Sequence, residues 1–229
     1  MTPSFLPDPL DAVIFDMDGT LLDTERLHHE AMGAAAGALG YRIDAALFAE
    51  LVGVHRDRNR VTLIERLGAE FPIEPFYADA DARFEGLAAA GVPLRPGVIG
   101  LLDHLRSEGV PRAIATSTAS PAAEAFLMAA GLIDHFDVVV TRSDVANPKP
   151  APDPYLLAAE RLGVRPAHCL AVEDSPNGIR AAAAAGMATI MVPDLLPATD
   201  ATRALTVATL ASLTDILDAM IAQKRRVPG

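Results

Sequence analysis

Tryptophan is absent from this chain, aromatic residues amount to 5% of it, and there is one cysteine, Cys169. With so few rings, alanine, leucine and valine must build most of the core, and a hydrophobic content of 51% over 229 residues is ample for that. A single cysteine excludes an internal disulfide. Its apolar context, "HCLAV", reads as a buried strand rather than a reactive thiol in an electropositive cleft. Lysine is nearly absent too: Lys149 and Lys224 stand against seventeen arginines in a total of 19 basic residues. The net charge of −11 and a pI of about 4.9 exclude a general affinity for nucleic acid or anionic membrane, since both need a basic face. The longest apolar run, "AAAAAGMATIMV", is too short to cross a bilayer and is interrupted by Gly186. No basic residue precedes Arg26, so there is no signal-peptide pattern. These shortages make a soluble cytoplasmic protein, monomeric by default, the expectation.

What is present begins with "AVIFDMDGTLLD". Residues 12–15 read as a fully buried strand, a short apolar run rich in β-branched and aromatic residues. Asp16, Asp18 and Asp23 follow it around a Gly-Thr pair. Carboxylates at the rim of a sheet are costly unless a cation, a proton or water answers them.

After this strand the spacing predicts a helix from Thr24, striped by Leu27, Ala31, Ala35 and Leu39 and ended by Gly40. Further helices are expected over 45–52, 58–67 and 75–90, with no strand among them. From residue 93 the character changes. Strands over 112–115, 136–140, 168–173 and 188–193 alternate with helices over 94–109, 121–130, 152–162 and 177–185. Alternation of that kind specifies an α/β fold with a doubly wound parallel sheet. The simplest organisation is a Rossmann-like core, residues 1–23 and 93–229, interrupted by an all-helical insertion, residues 24–92.

Ligands of such sheets bind beyond the carboxyl ends of the strands. Those ends carry Asp16 and Asp18, then Thr116, Ser117 and Thr118, then Lys149 between two prolines, then Glu173, Asp174 and Ser175. Carboxylates, hydroxyls and one ammonium at a single edge suit a phosphate held beside a divalent metal. "DMDGT" is no EF-hand loop: counted from Asp16, the sixth position is Leu21 and the twelfth Leu27. Simple capping competes at two places. Ser120 before Pro121 is a good N-cap, and Asp174 or Ser175 could cap the helix that follows. Thr116 to Thr118 precede their cap and stay available to an anion. Asp23 reads as a cap beside the insertion.

"DMDGT", Thr116-Ser117, Lys149 in "NPKPAPD" and "EDSPNGIRAAAAAG", in that order, resemble the haloacid dehalogenase (HAD) superfamily. The resemblance is to the subgroup with a helical cap after the first strand, home of β-phosphoglucomutase and many sugar-phosphate phosphatases. It implies that Asp16 is a nucleophile forming an aspartyl-phosphate and that Asp18 is the general acid and then base. It implies Mg²⁺ held by Asp16, the backbone carbonyl of Asp18 and Asp174, with Glu173 as ligand or supporting neighbour. Thr116, Ser117 and Lys149 would hold the phosphoryl oxygens. In the cap, "LVGVHR" resembles a loop whose arginine, here Arg56, contacts a distal phosphate, and His28 and Thr24 fall at a cap histidine and a hinge threonine. The mutase uses a cap lysine, and residues 24–92 contain none; Arg83 is the nearest substitute. The resemblance therefore implies a Mg²⁺-dependent phosphatase of a small phosphorylated metabolite. A mutase is the alternative, and an idle binding protein on the same scaffold is a third possibility.

Overall fold

The computed structural model describes residues 6–51, 54 and 56–224. The apolar run after the amino terminus forms β1 (Ala12–Phe15), with all four residues fully buried. It is the centre of a six-stranded parallel sheet completed by β2 (Arg112–Ala115), β3 (Val138–Val140), β4 (Cys169–Glu173), β5 (Ala188–Met191) and β6 (Ala208–Thr209). The strand order is β3-β2-β1-β4-β5-β6. The winding direction reverses beside β1, and such a switch point opens a crevice at the strand ends. β1 pairs with β2 through Phe15 and Ile114, and with β4 through Phe15 and Val172.

Strand alternation sends Ala12, Ile14, Ala113, Ala115, Cys169 and Ala171 to one face of the sheet. Against them lie Tyr155, Ala158 and Ala159 of α7 (Asp153–Leu162) and Ala181 and Ala182 of α8 (Pro176–Ala184). Alanine on both sides lets these helices seat close to the sheet. The scarcity of aromatics thus becomes a packing solution. α5 (Val98–Ser107) and α6 (Ala122–Ala129) occupy the other crossovers.

The chain divides into two compact units, Met1–Leu22 with Pro93–Gly229, and Asp23–Val92. Among its described residues the second forms four helices: α1 (Thr24–Ala38), α2 (Ala45–Leu51), α3 (Arg56–Leu67) and α4 (Ile73–Ala90). Six of the protein's 8 Phe and 3 Tyr lie in it. A unit this small needs large side chains to close a core, and Phe48, Phe71, Phe76 and Tyr77 supply them. Phe76 rings lie 5.1 Å from both Phe71 and Tyr77.

The structure corrects several details. The strand expected over 136–140 starts only at Val138, because the Phe136 N–H closes the 3₁₀ turn Ile133–His135. α6 begins at Ala122 with Pro121 at its cap position, so Ser120 caps nothing; its backbone N–H instead donates to Ser143 Oγ. α9 (Asp200–Arg203), β6 and α10 (Leu213–Lys224) were not anticipated, although Leu213, Ile216 and Met220 carry helical spacing. Val52, Gly53 and His55 of "LVGVHR", including the last residue of the helix expected over 45–52, lie outside the described residues.

Phe76 is fully buried among rings that cannot collapse onto a smaller side chain. Phe76→Ala is expected to destabilise the protein by about 3–5 kcal/mol. Chemical denaturation read by far-UV circular dichroism measures it.

Candidate active site

Three strand ends and one loop meet beside β1. Asp16 follows β1 and is anchored by its backbone N–H to Val172 O at 2.9 Å. It is buried rather than exposed at the rim, with 7% of its surface accessible. Lys149, its side chain 3% exposed, places Nζ 2.5 Å from Asp16 Oδ1 and 2.6 Å from Glu173 Oε1. Glu173 is fully buried, and donors fill both its oxygens. Oε1 also accepts from Tyr155 OH at 2.8 Å. Oε2 accepts from the backbone N–H groups of Asp174 and Ser175 and from Ser175 Oγ, at 3.0–3.2 Å. Ser175 caps α8 as expected, its hydroxyl accepting from Gly178 N–H.

One ligand oxygen from each of Asp16, Glu173 and Asp174 lies within 4.8 Å of the others. Three carboxylates against one ammonium leave an excess of two negative charges. Burial pushes the Asp16 carboxyl up, against the pull of Lys149. Glu173 and Asp18 add to the rise, and it sits at about 7. Burial, then Asp16 and Glu173, push Asp174 well above the usual carboxylate range. Burial disfavours the Lys149 ammonium, but Asp16 and Glu173 outweigh it and hold its pKa above the ordinary lysine value. Hard oxygen donors carrying two uncompensated charges fit a divalent cation.

Two glycines make room for this cluster. Gly19 has φ +79°, and a Cβ there would stand 2.5 Å from Asp174 Oδ2. A Cβ on Gly178, in the first turn of α8, would overlap the Glu173 carboxylate. Thr20 Oγ1 reaches Asp174 Oδ1 at 3.5 Å. Asp194, after β5, pairs with Arg95 at 2.7 Å and adds to the upward push on Asp174.

Asp18 faces the β2 end. Its Oδ2 accepts from Thr118 Oγ1 at 2.7 Å and from Thr116 Oγ1 at 3.4 Å, while Thr116 Oγ1 accepts from Thr118 N–H. Thr116 is buried on these partners and Ser117 is exposed. Asp23 stands at the cap position of α1 without a capping hydrogen bond.

Within Asp23–Val92, Arg56 donates to Asp81 at 2.8 Å and stacks 4.0 Å above the Tyr77 ring. The His28 ring lies parallel to Phe84, 3.8 Å between centroids. Arg83 pairs with Asp79 at 2.8 Å, and Thr24 is buried. Thr118, expected to stay available to an anion, instead donates its hydroxyl to Asp18; Tyr155, Gly178 and Asp194 carry no expectation from the sequence. Only Gly178 left a signal, as a glycine inside a helical pattern.

The model of haloacid dehalogenase-like hydrolases matches residues 10–186. The chain is 37% identical over 206 residues to the plasmid-encoded protein CbbY of Cupriavidus necator, covering 83% of this chain and 81% of that one. Identity to fructose-1-phosphate phosphatase YqaB of Escherichia coli is 37% over 177 residues, 76% of this chain and 92% of the relative. A crystal structure of CbbY from Rhodobacter sphaeroides in complex with xylulose-(1,5)-bisphosphate superposes with a TM-score of 0.70 at 33% identity, covering 90% and 96% of the two chains. The chain belongs to the haloacid dehalogenase-like hydrolases. No helix among its described residues is long and apolar enough to cross a membrane.

Because the folded, metal-free chain holds a proton on Asp16 up to about pH 7 against an ordinary 3.8, folding binds a proton in that window. Stability is fully present below about 3.8 and falls as pH rises through 7. Asp16→Asn removes that titration. Thermal melts of the metal-free variant should show a shallower decline between pH 4 and 7 than wild type, and divalent cation should raise the wild-type midpoint more than the variant's. Parallel pH profiles would contradict the buried-charge assignment.

Proposed function

We propose that this hydrolase is a Mg²⁺-dependent phosphatase that releases phosphate from a small phosphorylated sugar by way of an aspartyl-phosphate on Asp16. The observation that carries the reading is the Asp16–Lys149–Glu173 cluster beside Asp174, which joins a buried carboxylate to a fixed ammonium and a divalent-cation donor set. Relatives named as a fructose-1-phosphate phosphatase and a CbbY bound to a pentulose bisphosphate support the substrate class.

In this reading Asp16, the Asp18 carbonyl and Asp174 would hold the metal. Glu173 completes the acidic cluster while holding Lys149. Bound Mg²⁺ supplies a Lewis acid that withdraws charge from the phosphoryl oxygens. Lys149 does the same from the protein side, favours the ionised form of Asp16 against the opposing effect of burial, and orients its carboxylate for in-line attack. Asp16 displaces the sugar oxygen at phosphorus, and the Asp18 carboxyl gives that oxygen its proton as the bond to phosphorus breaks. Asp18, now a carboxylate, takes a proton from water, whose oxygen attacks phosphorus and frees Asp16 and inorganic phosphate. Dividing one displacement into two lowers each barrier. Thr116 and Ser117 bind phosphoryl oxygens, with Ser117 the exposed hydroxyl. The resemblance assigns Arg56 and His28 to the rest of the substrate; within the inserted unit Arg56 engages Asp81 and Tyr77, and His28 stacks on Phe84.

A mutase is the weaker reading, because Asp23–Val92 contains no lysine and Arg83 is paired with Asp79. An arginine engaged in that way is a poor replica of a lysine point charge. An idle scaffold would not need a buried nucleophile, acid, ammonium and metal set together.

Phosphate release from a panel of sugar phosphates should stop in excess chelator and return with Mg²⁺. Asp16→Asn should lower kcat by about 10³-fold or more, as loss of a covalent nucleophile does. Activity within a few-fold of wild type in either case would overturn the mechanism.

A further inference from the structure

Thr118 has no role in the reading above, yet it makes the shortest contact to the proton-transferring residue. Its hydroxyl donates to Asp18 Oδ2 at 2.7 Å, and its backbone N–H donates to Thr116 Oγ1 at 3.0 Å. The Thr116 hydroxyl, so held, donates to the same Asp18 oxygen at 3.4 Å. One loop residue therefore acts on Asp18 twice, directly and through Thr116. Ser117 between them makes no comparable contact and is exposed.

We infer that Thr118 is a positioning residue for proton transfer: it fixes the Asp18 carboxyl and selects which of its oxygens carries the proton. The inference rests on the assignment of Asp18 as general acid. An oxygen that accepts two hydroxyl hydrogen bonds has little lone-pair capacity left, so in the neutral acid the proton belongs on Oδ1. Oδ1, the oxygen to which neither of these threonine hydrogen bonds runs, is then the one that gives the proton to the departing group. When Asp18 is ionised, the same hydroxyls stabilise the carboxylate left after transfer. Orientation of this kind matters because a general acid works only within hydrogen-bond reach of the oxygen it protonates. Unlike Thr116 and Ser117, Thr118 is assigned no phosphoryl oxygen, so its hydroxyl acts on Asp18 alone. Its loss should be felt in proportion to how much the leaving group needs a proton.

The test is kcat/KM along a series of phenyl phosphates, from 4-nitrophenyl, which departs readily as an anion, to 4-methoxyphenyl, which does not. Wild type, Thr118→Val, Thr118→Ser and Asp18→Asn are compared with Mg²⁺ present. Thr118→Val should lose roughly 10-fold more on 4-methoxyphenyl than on 4-nitrophenyl phosphate, a share of the roughly 10²–10⁴ that a positioned acid contributes. Thr118→Ser, which keeps the hydroxyl, should restore the wild-type slope. An equal loss across the series would make Thr118 a substrate contact and overturn the inference. So would an unchanged Thr118→Val, or a Thr118→Ser as impaired as the valine variant. Asp18→Asn separates the levels. A leaving-group-dependent loss there with a flat Thr118→Val refutes the inference alone. No such dependence in Asp18→Asn refutes the acid assignment and the inference with it.

Discussion

The ion pair between Lys149 and two buried carboxylates constrains everything around it. An ammonium with so little solvent contact is tenable only because Asp16 and Glu173 each lie within hydrogen-bond distance of Nζ. Glu173 in turn is tenable only because its second oxygen is satisfied by two backbone N–H groups and Ser175 Oγ at the start of α8. The helix N-terminus adds its own preference for negative charge. Remove Lys149 and two buried carboxylates lose their counter-charge; remove the donors at the start of α8 and the second Glu173 oxygen is left unsatisfied. This is why α8 must begin where it does, and why Gly178 has no side chain.

The arrangement is also deliberately unbalanced. Glu173 has its full complement of donors, whereas Asp16 and Asp174 carry charge that Lys149 does not neutralise. Burial, with the neighbouring carboxylates adding to it, raises both pKa values in the metal-free chain. A divalent cation removes the deficit and a phosphoryl group exploits it. Stability and chemistry are thus set by one electrostatic imbalance. Tyr155, the largest fully buried side chain, joins the alanine-lined core of α7 to this cluster through its hydroxyl.

Much of this was legible before any coordinates. β1, β2 and β4 stand where apolar runs placed them, and Asp16, Lys149, Glu173 and Asp174 are at their ends or in the loop between. Strand ends in a parallel sheet share one edge, so residue type and position sufficed to bring these groups together. Partner choice was not legible. Tyr155 meets Glu173, and Thr118 rather than Ser117 meets Asp18, because of how packed elements are rotated about their axes, which no local pattern records. The burial of Asp16 is not legible for a related reason: the strand pattern does not record which loops cover a strand terminus. The late elements α9, β6 and α10 are absent from the sequence expectation even though α10 carries a helical stripe. For Arg56 and His28, pattern supplied positions but not the Asp81, Tyr77 and Phe84 contacts.

The central claim is that Asp16 carries the phosphoryl group. It is tested most directly in Asp18→Asn, where an activated substrate can load the nucleophile but the base for hydrolysis is missing. The variant, mixed with 4-nitrophenyl phosphate and Mg²⁺, is quenched in acid, digested and mapped by mass spectrometry. The account predicts a burst of about one 4-nitrophenol per chain and one added phosphoryl group on the peptide containing Asp16. A burst with no adduct, or an adduct on any other residue, would contradict it.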